Sequence, residues 1–207
     1  MDKRERLHRA ALYVVTGSRP DLPRFLDSIL GAGVDMIQLR DKDTEAGDLL
    51  RHAQVFRDAA HRHDALFIVN DRPDVALAAA ADGVHLGQND LPVEFARRIL
   101  GPDAVIGLSC HSPDQYDRAP MTADYVTAGP LFETPTKPGR RGVGLELVTY
   151  AADHVDRPWF AIGGIDTDNV GDVVRAGASR IAVVRAVTEA DDPARAVERL
   201  LEGLIGP

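Results

Sequence analysis

Short, almost unbroken apolar runs recur along this chain, and nearly every one ends in a polar tip. Val34–Leu39 leads into Arg40, Asp41 and Lys42, Leu66–Val69 into Asn70 and Asp71, and Gly83–Gly87 into Gln88, Asn89 and Asp90. Ala104–Leu108 leads to Ser109, Tyr125–Thr127 towards Thr134–Lys137, Trp159–Ile162 to Gly163 and Gly164, and Ile181–Val184 to Arg185. Runs without polar alternation, each followed by a helical stretch, describe parallel strands buried on both faces. The pattern predicts strands over Leu12–Thr16, Val34–Arg40, Leu66–Asn70, Gly83–Leu86, Val105–Ser109, Asp124–Ala128, Trp159–Ile162 and Arg180–Val184. Helices are expected over Leu22–Gly31, Thr44–His63, Pro73–Ala81, Pro92–Leu100, a short stretch from Ser112, Leu145–His154, Asp168–Ala176 and Pro193–Leu204. Prolines in first turns (Pro23, Pro73) and the stop Gly101-Pro102 punctuate them. Gly129–Gly144 has no clear period and reads as a loop.

A phrase repeats ahead of several strands: a small-residue helix end, a Gly or Asp, then the strand, as in Gly31–Ile37, Ala81–Leu86, Ala123–Thr127 and Ala176–Ala182. Repetition of one βα unit about eight times favours closure into a single-domain (β/α)8 TIM barrel spanning 1–207 over an open doubly wound sheet. Parallel strands present the same end, so residues scattered along the chain converge on one rim, the active-site face of such a barrel. The 207 residues are compact against the ~250 typical of the fold, which predicts short loops.

Composition narrows the function. No stretch approaches the roughly 20 apolar residues of a membrane span, the charged first ten residues lack a signal-peptide core, and the lone cysteine, Cys110, permits no intrachain disulfide; a cytoplasmic protein is expected. A formal net charge of −8 without a basic run argues against nucleic-acid binding. Of 24 basic residues only Lys3, Lys42 and Lys137 are lysines, and two of these fall in rim loops. A compact ammonium follows a moving phosphate better than a planar guanidinium does, although three lysines could also fall there by chance.

Asp71 and Asp90 lie just past the tips of adjacent strands, which run ~4.8 Å apart. Two such carboxylates suit a hard cation such as Mg²⁺, whose remaining positions are left to water and phosphate oxygens. The competing structural reading is that each caps the helix that follows. Gln38, Arg40 and Lys42, at alternate positions, would offer donors and positive charge to a diphosphate; for Arg40 the alternative is an ion pair inside the barrel. The loop from Glu133 to Gly142 collects hydroxyls, Lys137, two arginines and glycines, a phosphate-friendly mixture. Gly163-Gly164 and Val184-Arg185 stand where barrels of this kind hold phosphate monoesters. Ser109 could bond a diphosphate or a heterocycle, His85 reads as a hydrogen-bonded core histidine, and Cys110 as structural.

In order and spacing, Gln38–Lys42, Val69–Asp71, His85–Asp90, Gly107–Ser109, Thr134–Lys137 and Ala161–Ile165 resemble the thiamine-phosphate synthase family over essentially the whole chain. The resemblance implies a transferase that joins hydroxymethylpyrimidine diphosphate to a thiazole phosphate and releases diphosphate. It implies that Gln38, Leu39, Arg40, Asp41, Lys42, Asn70, Ser109 and Lys137 hold the pyrimidine diphosphate, with Arg40, Lys42, Ser109 and Lys137 nearest the chemistry. It places Mg²⁺ on Asp71 and Asp90, and the thiazole phosphate on Thr134, Pro135, Thr136, Gly164, Val184 and Arg185. Arg185 departs from the serine frequent at this position. The partners would be two small-molecule substrates, with neither nucleic acid nor membrane involved, and homo-oligomerisation is left open. The rivals are a thiazole tautomerase-like paralogue, which would need no diphosphate–metal site, a Schiff-base aldolase, which would need a lysine within a strand, and a non-catalytic sensor of thiazole or thiamine phosphate.

Overall fold

The structure, a computed structural model, describes residues 2–133 and 142–206. The apolar runs form eight parallel strands, each paired with its neighbours in sequence and β1 closing on β8. They are β1 (Leu12–Thr16), β2 (Met36–Leu39), β3 (Leu66–Asn70), β4 (Gly83–Leu86), β5 (Val105–Cys110), β6 (Tyr125–Ala128), β7 (Trp159–Ile162) and β8 (Ile181–Val183). The helices are α1 (Lys3–Arg9), α2 (Leu22–Gly31), α3 (Ala46–Arg62), α4 (Pro73–Ala78), α5 (Val93–Leu100), α6 (Pro113–Asp117), α7 (Glu146–His154), α8 (Val170–Arg175), α9 (Arg185–Thr188) and α10 (Pro193–Ile205). This is the expected (β/α)8 barrel, with α1 and α9 added. Among the described residues no helix is long and apolar enough to cross a membrane.

Strand alternation sorts the core into two shells. Ile37, Leu39, Phe67, Val69, Val84 and Ile106 face outwards and pack under the helices. Tyr13, Met36, Leu66, Ile68, Val105, Tyr125 and Phe160 face inwards and fill the barrel. Leu7 and Ala10, from α1 and its C-terminal end, join this inner shell at 1% exposure each, so α1 plugs the floor opposite the rim.

The aspartates of the repeated phrase have a definite task. Asp35 Oδ2 accepts from the N–H groups of Ala11 and Leu12 at 2.8 and 3.0 Å, Asp82 Oδ2 from Phe67 at 2.9 Å, and Asp124 Oδ2 from Ile106 at 2.8 Å. Each carboxylate thus satisfies amides at the start of the preceding strand, which the barrel's lower edge would otherwise leave without partners. Arg6 and Arg4 of α1 pair with Asp82 and Asp124, tying the plug to the same edge.

Some elements are shorter than the pattern predicts. Val34 and Asp35 precede β2, because the Asp35 side chain is committed to β1. The α4 helix stops at Ala78, and Ala80 follows in the left-handed region at φ 53°. The α8 helix starts late because Asp166 Oδ1 accepts from the N–H groups of Asp168 and Asn169, holding both in a turn.

Candidate active site

The C-terminal ends of the strands open onto a cavity of about 710 Å³, within the size range of small-molecule sites. Its walls include Gln38, Arg40, Lys42, Asn70, Asp71, Asp90, Ser109, Gly164, Val184 and Arg185. Residues up to 147 positions apart in sequence therefore meet because parallel strands end on one side.

Asp71 and Asp90 form the centre of one wall. Asp71 follows β3 with φ 60°, a left-handed conformation that aspartate tolerates better than most residues but that still costs on the order of 1 kcal/mol. Its amide donates to the His85 carbonyl at 2.9 Å, extending the β3–β4 ladder by one bond. Asp90 is turned back over the loop, with Oδ2 accepting from the Gly87 N–H at 2.7 Å. Neither is a helix cap: the residues flanking α4 and α5 are Arg72 and Pro92, and neither helix has a side-chain cap bond. The two carboxyl groups instead lie within hydrogen-bonding reach of each other.

Crowding splits the pair. Burial by itself would raise Asp71, but the Lys42 ammonium, then the Asp90 carboxyl and Asn70, hold it below the usual carboxylate range. Burial pushes Asp90 up and the neighbouring Asp71 charge adds to this, partly offset by the Gly87 amide. Lys42 Nζ stands 2.9 Å from Asp71 Oδ2. Two like charges brought together and half-buried, with one cation already drawn to them, form an oxygen donor set that fits a hard divalent ion. Among the described residues no group of three or more His, Cys, Asp or Glu side chains is arranged to hold a metal. Two carboxylates suffice for Mg²⁺ when substrate oxygens complete the shell.

The opposite wall is built from backbone. Gly163 and Gly164 have φ 104° and 69°, and a Cβ at Gly164 would come within 2.7 Å of Phe132 Cβ. The close approach is fixed by the Leu131 amide donating to the Ile162 carbonyl at 2.9 Å and the Phe132 amide to the Gly163 carbonyl at 3.0 Å. Val184, Arg185 and Ala186, at the start of α9, complete this wall. Among the described residues Arg185 has one loose ion-pair partner, Glu189 at 3.8 Å, and 42% of its side chain is exposed. Its guanidinium is therefore accessible to an anion in the cavity.

The floor is polar yet buried. Gln38, His85, Ser109 and Thr127 are each less than 8% exposed. His85 Nε2 lies 2.9 Å from Ser109 Oγ and Nδ1 lies 3.1 Å from the Tyr125 hydroxyl. The group behind this histidine is a phenol rather than a carboxylate, so the Ser–His contact lacks the orienting acid of a nucleophilic triad. Gln88 Nε2 donates to the Ser109 carbonyl at 2.6 Å, bracing the same corner.

Two expected binding residues turn away. The Leu39 side chain belongs to the outer core at 1% exposure. Asp41 Oδ2 accepts from the Ser18 N–H at 3.0 Å and lies 3.7 Å from His52 Nδ1. Neither residue is among those lining the cavity, so the structure does not bring these two to the ligand-facing surface. Thr134, Pro135, Thr136 and Lys137 lie outside the described residues. Tyr13, Thr127, Asp166 and Glu189 also line the cavity, although the sequence did not single them out. Tyr13 and Thr127 sit inside strand runs, where position alone reads as core; Asp166 and Glu189 carry no distinguishing spacing.

A closed parallel barrel with a carboxylate pair past β3 and β4, and a wall of Gly163, Gly164, Val184 and Arg185 past β7 and β8, defines a (β/α)8 enzyme with its site at the C-terminal rim. A profile described as thiamine monophosphate synthase matches residues 12–187. The thiamine-phosphate synthase of Acidothermus cellulolyticus is 54% identical over 193 residues, covering 90% of this chain and 91% of that protein. That of Streptomyces avermitilis is 52% identical over 207 residues, with 97% and 96% covered. A solved thiamine phosphate pyrophosphorylase from Pyrococcus furiosus superposes with a TM-score of 0.86 at 36% identity, covering 98% of this chain and 97% of that one. The chain belongs to the thiamine-phosphate synthase family and is a transferase of thiamine biosynthesis.

Proposed function

We propose that the chain joins hydroxymethylpyrimidine diphosphate to a thiazole phosphate at this rim, giving thiamine monophosphate and diphosphate. The observation that carries the reading is the two-ended cavity: an Asp71–Asp90 pair flanked by Lys42 and Arg40 at one end, and a glycine-walled pocket with Arg185 at the other. In the reaction the methylene–oxygen bond breaks with its electron pair leaving on diphosphate, and the thiazole nitrogen lone pair forms the new carbon–nitrogen bond. The electron-rich aminopyrimidine stabilises the cationic carbon between these events.

Asp71 and Asp90 would hold Mg²⁺, which supplies positive charge to the diphosphate. Arg40 and Lys42 stabilise the same oxygens more strongly as negative charge develops, which is where an interaction lowers the barrier. Lys137 is proposed for this task on sequence grounds. Asn70, which also interacts with Asp71, joins Gln38 and Ser109 in holding the pyrimidine diphosphate, the latter two at the ring. Gly164, Val184 and Arg185, with Thr134–Thr136, hold the thiazole phosphate. No protein base is required, since the attacking nitrogen bears its own lone pair; the protein orients two rings and excludes water. The lone, buried Cys110 suits a reducing, cytoplasmic setting.

The test is to mix both substrates with protein and Mg²⁺ and measure diphosphate and thiamine monophosphate together. Equal release of the two, dependent on both substrates, is expected. Diphosphate release without the coupled product, or neither, would reject the reading. A tautomerase gains nothing from the Asp71–Asp90 pair.

A further inference from the structure

The floor of the rim cavity rests on a continuous hydrogen-bond chain contributed by five strands: Gln38 of β2, Tyr13 of β1, Tyr125 of β6, His85 of β4 and Ser109 of β5. Gln38 Nε2 donates to the Tyr13 hydroxyl. The Tyr13 and Tyr125 hydroxyl oxygens are 3.1 Å apart, His85 Nδ1 is 3.1 Å from Tyr125, and His85 Nε2 is 2.9 Å from Ser109 Oγ. Both tyrosines are at most 1% exposed, so a hydroxyl proton left without an acceptor would be costly.

One proton per hydroxyl fixes the order. An amide nitrogen is only a donor, so Tyr13 accepts from Gln38 and passes its own proton to Tyr125. Tyr125 then donates to His85 Nδ1, which makes the imidazole neutral with its proton on Nε2. That proton goes to Ser109 Oγ, and the Ser109 proton is directed elsewhere. Reversing any one bond requires reversing them all and turning the Gln38 amide.

The two ends of the chain, Gln38 and Ser109, line the cavity, whereas Tyr125 does not. With its nitrogen committed to Tyr13, Gln38 offers a ligand its carbonyl oxygen, an acceptor. With its oxygen accepting from His85, Ser109 offers a donor. An aminopyrimidine edge has the complementary pair, a donating amino group and an accepting ring nitrogen. The oxo counterpart presents the reverse, an accepting oxygen and a donating ring N–H.

We propose that Tyr125 is a positioning residue that couples the donor sense of Ser109 to the acceptor sense of Gln38, and thereby selects an aminopyrimidine over its oxo counterpart. The ligand part of this inference rests on the proposed function; the proton order does not. Local packing supports the placement of Tyr125. A Cβ on Gly107 would come within 2.1 Å of the Tyr125 ring and 2.5 Å of His85 Nδ1, so only glycine lets the phenol reach the imidazole across β5. The Tyr125 ring also meets Phe160 edge-on, with centroids 5.7 Å apart. Burial holds both phenols protonated, as the chain requires.

The test uses the full chain. Nitrogen-15 NMR of the ligand-free wild type, with His85 assigned by comparison with His85→Asn, is expected to show a neutral imidazole protonated on Nε2. A proton on Nδ1 would overturn the proposed order. Wild type is expected to prefer the aminopyrimidine diphosphate to its oxo analogue by about a hundredfold or more in kcat/KM. In Tyr125→Phe, His85 loses its single tautomer, that preference falls to about tenfold or less, and the KM for thiazole phosphate stays unchanged. A Tyr125→Phe protein with a native melt and an unaltered amino-to-oxo preference would refute the coupling. Wild type that turns over neither analogue would overturn the ligand part, while the ligand-free spectrum would still decide the proton order.

Discussion

Replacing Asp71 by asparagine separates the charge of the carboxylate pair from the backbone that carries it. Position 71 sits at φ 60°, a region asparagine occupies with little penalty, whereas alanine would add roughly 1 kcal/mol of strain. The substitution removes the Lys42–Asp71 ion pair, whose side chains are 52% and 21% exposed. A pair that wet contributes about 0.2–1 kcal/mol. Against this, Asp90 is relieved of its like-charged neighbour, which returns its carboxyl towards the ordinary range and offsets part of the loss. The net change in stability should stay within about 1 kcal/mol, a melting shift of about 2–4 °C for a chain this long. Activity should respond on a different scale. Losing a carboxylate that holds the cation opposite a developing anion should cost as much as losing one preorganised contact to that anion, about 10²–10³ in rate. The assay is diphosphate release against Mg²⁺ concentration, beside a thermal melt without metal. We expect kcat/KM to fall at least a hundredfold, the Mg²⁺ requirement to rise, and the melt to hold. Turnover within fivefold of wild type at the same Mg²⁺ would remove Asp71 from the metal site and the carboxylate pair from the mechanism.

Other substitutions probe the barrel's lower end, the glycine wall after β7, the lone thiol and Lys137. Leu7→Ala empties a position 1% exposed at the barrel floor and should cost about 2–5 kcal/mol in urea unfolding, with activity per folded molecule unchanged; a loss below about 1 kcal/mol would show that α1 is not a plug. Gly164→Ala places a Cβ 2.7 Å from Phe132 at φ 69°, so KM for the thiazole phosphate should rise about tenfold while that for the pyrimidine diphosphate holds; the opposite split would move the thiazole phosphate to another wall. Burial pushes the Cys110 thiol up to about 12. At about pH 8 its thiolate fraction is then roughly a thousandfold below that of a free cysteine, and alkylation in native protein should slow by at least that factor. Stoichiometric labelling within minutes, without denaturant, would contradict the packing around β5. Lys137→Ala should slow single-turnover product formation more than it weakens thiazole phosphate binding, and normal single-turnover rates would exclude Lys137 from the chemical step.

The strands were legible because a parallel barrel buries both faces of each strand, leaving unbroken apolar runs that few other structures produce. Four of the eight strands, β1, β3, β4 and β7, occupy the ranges the pattern predicts. Helix ends were harder, because local turns decide them: the Asp166 turn delays α8, and the reversal at Ala80 ends α4 early. The added helices α1 and α9 left little trace. In α1 the single apolar anchor is Leu7 among charged residues, and α9 is too short for any period to show.

At the rim, the sequence distinguished polar tips from apolar runs, which sufficed to gather Arg40, Lys42, Asn70, Asp71 and Asp90 on one wall. It left open whether Asp71 and Asp90 were helix caps, because an aspartate shortly before a proline serves either purpose. Strand alternation itself sets Leu39 on the face opposite Gln38 and Arg40, under the helices; only the family resemblance carried Leu39 and Asp41 into the site with their neighbours, and the β1 turn claims Asp41.

Order along the chain determined the barrel, its rim and the residue types that meet there, because those follow from periodicity and from parallel strands sharing one end. Which side chain faces which was decided only by closure. Bringing β1, β2, β4, β5 and β6 around one axis turned Tyr13 and Tyr125, ordinary core residues by pattern, into links between Gln38 and Ser109. Proton order in such a chain depends on distances of about 3 Å between strands remote in sequence, a scale that hydrophobic periodicity does not encode.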